Sequence, residues 1–182
     1  MAKRKKLNKR VVVLLSVMGG ILAVGVLAAV IARLPKDPTA LAAKAELELK
    51  AGNYREAVTY YGAAAGEAEK AGHELAPKYY YDLARTSVDW AFKDPQLTRS
   101  DVIEQYGRGR GALEVALRLD PKYTEAQRYL CELLWSEANQ AGRWRPYVEQ
   151  ADKLLELVPD DHATYFRRGR AKMELAETMG GE

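Results

Sequence analysis

Four sets of residues have the side chains from which chemistry is built. Cys131 is the single cysteine; a thiol nucleophile needs a base beside it, and sequence places no histidine or acid there. His73 and His162 are the two histidines. Both fall in predicted interhelix turns, and no Cys/His set has zinc-site spacing. Asp160 and Asp161 are adjacent acids, but they follow Pro159 and precede a helical pattern, where acids serve as N-cap and first-turn residues favoured by the helix dipole. Gly107-Arg108-Gly109-Arg110-Gly111 has the composition of an RNA-binding tract or a phosphate loop, yet lacks the preceding strand and the Lys-Ser/Thr that phosphate cradling needs. It lies inside a helical pattern from Ile103 and Tyr106 to Leu113 and Leu117, where each glycine would cost roughly 1 kcal/mol in helix propensity. No catalytic constellation, cofactor site or metal site emerges, and the chain is expected not to be an enzyme.

Charge argues against nucleic acid as a partner. The formal net charge is +3, but Lys3, Arg4, Lys5, Lys6, Lys9, Arg10 and Arg33 all lie in the first 33 residues, which contain no acid. Removing those seven from 28 basic residues leaves 21 against 25 acidic ones, a net of −4 with no polyphosphate footprint. With one cysteine there is no intrachain disulfide, which fits either redox compartment because a sizeable helical core needs no staple.

The basic cluster introduces an apolar run. Residues 11–32, opening at Val11 and closing at Ala32, carry no charge and no proline. As a helix they would extend about 33 Å, enough to cross a hydrocarbon core. The reading is a basic cytoplasmic tail at 1–10, a transmembrane signal anchor at 11–33 and a linker at 34–38, with the remainder at 39–182 on the outer side, because positive flanks resist translocation. A cleaved signal peptide is the rival, but the run exceeds the 7 to 15 residues of a signal-peptide core and no strong Ala-x-Ala site follows. Ser16 with Gly20, and Gly25 with Ala29, are small-xxx-small pairs at which a second helix could approach.

Pro35, Asp37 and Pro38 end the membrane helix, and Thr39 is the expected first N-cap. Apolar residues then recur at helical spacing: Leu41, Ala45, Leu49, and again Tyr54, Ala57, Val58, Tyr61. Ala51-Gly52-Asn53 between them is a helix stop and a tight turn, so the pair forms an antiparallel hairpin. The grammar returns where Ala141-Gly142-Arg143-Trp144 separates Leu130, Leu133 and Leu134 from Val148, Leu154 and Leu155. Two helix ends also repeat, closing at Asp120-Pro121 and at Val158-Pro159.

With these features the chain resembles the tetratricopeptide repeat (TPR) family, whose unit of about 34 residues carries small residues at fixed packing points and a proline near its end. In the first unit Ala45 falls on the small eighth position, Gly52 and Tyr54 on the turn, Ala57 on the second helix's small residue and Tyr61 on its aromatic. The second unit has about 13 extra residues, through Phe92 to Thr98, between the helix of Tyr80, Leu83 and Ala84 and that of Gly109, Leu113 and Ala116. The third has about four extra between Cys131 and Gly142. A fourth, with Tyr165 and Gly169 in frame, stops after one helix that carries Ala171, Leu175 and Met179. That helix is either a cap with a polar outer face or half a hairpin completed by more chain or another subunit. Gly109 and Cys131 take packing positions in this frame.

The resemblance implies an all-α fold of antiparallel helical hairpins stacked as a right-handed solenoid, plus the N-terminal transmembrane helix. It also implies a concave groove lined by the first helix of each unit, which nominates Glu46, Lys50, Tyr81, Arg85, Arg128, Glu132, Trp135, Phe166 and Arg170 as protein-binding residues. Aromatics interleaved with arginines are what interfaces enrich. Family members that clamp chaperone C-terminal carboxylates use Lys and Asn where this chain has Ala42 and Glu46, so that activity is not implied. The expected function is a membrane-anchored scaffold for a protein or peptide partner in bacterial envelope assembly or secretion. The alternative is a structural subunit packed permanently into a membrane complex or filament. A homo-oligomer fits either.

Overall fold

The computed structural model describes residues 36–180. The expected tail, membrane helix and cleavage region lie outside the described residues; among those described, no helix is long and apolar enough to cross a membrane.

Seven helices follow one another: α1 (Pro38–Lys50), α2 (Tyr54–Lys70), α3 (Ala76–Lys93), α4 (Arg99–Leu119), α5 (Thr124–Ala141), α6 (Trp144–Leu157) and α7 (His162–Gly180). They form one compact unit in which each helix packs on the next along the chain. Local chemistry sets the boundaries. Asp37, not Thr39, caps α1, its side chain accepting from the Thr39 backbone N–H at 2.9 Å. The reason is Pro38, whose fixed φ and missing N–H suit the first helical position and push the cap one residue earlier. Turns after α1, α2 and α5 pass through Gly52, Gly72 and Gly142 at positive φ.

The extra residues of the second unit divide between helix and loop, with residues 94–98 forming the connection. α3 runs on through Phe92 to Lys93, and α4 starts at Arg99 behind a capping box in which the Thr98 side chain accepts from the Asp101 N–H and the Asp101 side chain from the Thr98 N–H. The third unit's extra residues lengthen α5, which runs to Ala141 with Gly142 as its C-cap.

Small residues bring the helices together. One cluster joins Ala64, Ala65 and Ala68 of α2 to Ala76 and Tyr79 of α3. The larger core runs from Ala45 through Val58, Leu83, Leu113, Leu130 and Leu134 to Leu154 and Ala171. Leu113 and Leu154 are fully enclosed, each contributing about 1.5–3 kcal/mol by burial. All of Gly107–Gly111 is helical, and Gly109 is the contact point: a Cβ there would lie 2.6 Å from Val88 Cγ2 and 3.0 Å from the Ala84 carbonyl oxygen. Ile103 departs from expectation. Its position in the α4 apolar pattern predicts packing, yet it is 64% exposed.

Candidate functional site

α1, α3, α5 and α7 are the first helices of successive units, and the nine nominated residues run along them. On α1 and α3, Glu46, Lys50 and Arg85 line one groove of about 590 Å³, together with Lys78, Asp82 and Asp89. Its charges are largely paired locally, Lys50 with Glu46 at 3.9 Å and Lys78 with Asp82 at 2.6 Å. Sequence reasoning had missed Lys78, Asp82 and Asp89, which fall one turn away from the positions taken from the repeat frame.

Between α3 and α5 the lining turns aromatic. Tyr81 packs on Tyr123 and Tyr129, with ring centroids at 5.4 and 6.1 Å, and the Arg85 guanidinium lies 5.8 Å from the Tyr81 ring. Burial pushes the Tyr123 hydroxyl up to about 12 and raises that of Tyr129 as well, so both stay neutral donors at physiological pH. Helical periodicity could have found Tyr129, one residue beyond the nominated Arg128.

Arg128 is committed to the fold: its Nη1 donates to Asp161 Oδ2 at 2.5 Å. Asp161 also accepts from the Thr164 backbone N–H at 3.1 Å, the N-cap geometry expected of this acid. His162 opens α7 instead of lying in the turn before it. Glu132 is exposed on α5.

Trp135 is the centre of the α5–α7 portion. It packs on Trp144 and Tyr147 of α6, with centroids at 5.5 and 5.0 Å. Two guanidiniums, of Arg167 and Arg170, each lie 5.7 Å from its ring. Arg170 is held only loosely by Glu174 at 4.0 Å. Arg167 was not foreseen, since the repeat frame gives that position no groove role. Phe166 is 77% exposed and Met173 66%, spaced with Arg170 at i, i+4 and i+7 on one face of α7. Inward from that face Ala171 is buried and Leu175 partly so.

Cys131 is buried in the core among these helices, and burial pushes its thiol up to about 12. His73 Nδ1 accepts from the Leu75 N–H in the α2–α3 turn. Among the described residues, no group of three or more His, Cys, Asp or Glu could hold a metal ion.

No family model matches the chain, and no curated protein matches it either. Among solved structures it is similar to the first TPR of Spaghetti (RPAP3) bound to HSP90 peptide SRMEEVD, at 15% identity and a TM-score of 0.51, over 78% of this chain and 98% of that one. The described residues thus have a TPR-like, all-helical fold with no strands.

Proposed function

We propose that this protein is a non-catalytic scaffold that binds a protein or peptide segment along α1, α3, α5 and α7. The observation that carries the reading is the α5–α7 surface, where Trp135, Arg167, Arg170 and exposed Phe166 assemble the residue types that dominate interface energetics. The TPR-like neighbour holds a peptide, which supports a peptide as the ligand class. Ala42 and Glu46 argue against a chaperone C-terminus as the ligand here. The proposal includes a membrane anchor at residues 11–32, supported by their uncharged composition and the basic residues before them, and a repeat domain on the extracytoplasmic side serving envelope assembly or secretion.

The test is photo-crosslinking in the cells that make the protein, with a benzophenone amino acid replacing Phe166 of the full chain. A discrete adduct that disappears with Arg170→Glu is expected. Absence of any adduct would reject the reading.

A second reading is a subunit packed permanently into a membrane complex or filament, favoured by the exposure of Phe166 and Met173 on the last helix. Adducts solely between copies of the chain would select it.

A further inference from the structure

The lengthened α3–α4 hairpin builds a second cleft, of about 410 Å³, that shares no residue with the α1–α3 groove. Its apolar wall is Phe92, Ile103 and Tyr106. Phe92 meets Tyr106 edge-on at 6.3 Å yet remains 70% exposed, beside Ile103 at 64%. Exposed apolar side chains lining one cleft give a partner's apolar side chain a surface to pack on. Gly107 lines the same cleft, with nothing within 4 Å of where its Cβ would be. The volume falls within the 300–1,000 Å³ range of ligand pockets.

The rim decides the partner's charge. Arg110 is neutralised by Glu114 at 3.1 Å and by Glu137 at 2.9 Å. Arg143, in the turn after α5, also lines the cleft and has no hydrogen bond or ion pair among the described residues. The one uncompensated rim charge is therefore a guanidinium, a group suited to bidentate carboxylate recognition. The geometry points to a docking site for a protein segment that places an aliphatic or aromatic side chain against Phe92, Ile103 and Gly107 and an Asp or Glu carboxylate on Arg143. This site is independent of the α1–α3–α5–α7 surface and stands if that surface binds nothing.

The experiment is selection of a random heptapeptide phage library on the immobilised full chain, followed by fluorescence anisotropy of the enriched peptides. Peptides pairing a large apolar residue with an acid one or two positions away are expected. Gly107→Leu, which fills the cleft with a better helix former, and Arg143→Glu should each weaken them tenfold or more, with Arg170→Glu leaving them unchanged. Circular dichroism of Gly107→Leu should show an unchanged fold, and Phe92→Ser is the second variant should it not. Peptides without acids, peptides insensitive to both cleft variants, or no enrichment at all would overturn the proposal. So would a dimer of the chain that Gly107→Leu dissociates, which would make the occupant a second copy.

Discussion

Arg128 and Asp161 form a 2.5 Å ion pair that joins α5 to the N-cap of α7. The Asp161 side chain is 6% exposed and the Arg128 side chain 48%, so one partner depends on the bond far more than the other. Burial pushes the Asp161 carboxyl up, but the Thr164 N–H and hydroxyl together with Arg128 carry it below its ordinary 3.8. A depressed carboxylate stabilises the fold fully above its unfolded value and loses that contribution as pH falls through the folded one. Arg128→Ala should therefore cost about 1 kcal/mol at neutral pH, discounted for the exposure of the arginine, and move the acid-unfolding midpoint to higher pH. Urea titrations at pH 7 and pH 3 check this: the difference between the two proteins should shrink at the lower pH.

The three glycines of α4 should respond in opposite directions to alanine. Gly109→Ala drives a methyl into Val88 and the Ala84 carbonyl, and overpacking of a well-filled contact costs about 1–3 kcal/mol, more than the propensity gain. Gly107→Ala and Gly111→Ala meet nothing within 4 Å and should stabilise by about 0.5–1 kcal/mol each. Chemical denaturation of the three variants separates a packing glycine from two tolerated ones.

The same helix shows what was legible in the sequence. The packing role of Gly109 could be inferred because close approach leaves a residue-type signature at a fixed place in a repeat. The exposure of Ile103 could not, because an apolar residue at helical spacing carries the same signal whether or not a neighbouring helix covers it. The extension of α3 and α4 was ambiguous for a related reason: Phe92 to Thr98 contains Asp94 and Pro95, which punctuate the chain but do not fix how far helix persists on either side. In the candidate site the frame located Trp135 and Arg170. It missed Arg167 because the guanidinium reaches the Trp135 ring through side-chain length, which backbone periodicity does not encode.

Cys131 should be inert in the folded protein. It is 4% exposed, and burial raises its thiol to about 12, which leaves very little thiolate at pH 8. An Ellman reagent assay at that pH should show essentially no reaction in buffer and one equivalent per chain in 6 M guanidinium chloride. Rapid labelling in buffer would mean that α5 opens readily from its neighbours.

Trp135 has two separable roles, and a mutant cycle should resolve them. Its ring packs on Trp144 and Tyr147, so Trp135→Ala should destabilise the fold by about 2 kcal/mol, less than for a fully buried tryptophan because one side is open. The Arg167 and Arg170 guanidiniums lie against the same ring, and an exposed cation–π contact contributes about 0.5–1 kcal/mol. Arg170→Ala should thus cost little stability, and the coupling between Trp135→Phe and Arg170→Ala should be about 0.5 kcal/mol by denaturation. Partner crosslinking should follow a different order, with Arg170→Ala more damaging than Trp135→Phe, because the arginine's charge faces outward and only the ring's shape is needed to hold it there. Equal loss of stability and crosslinking in both variants would mean that the ring and the guanidinium serve only to dock α7.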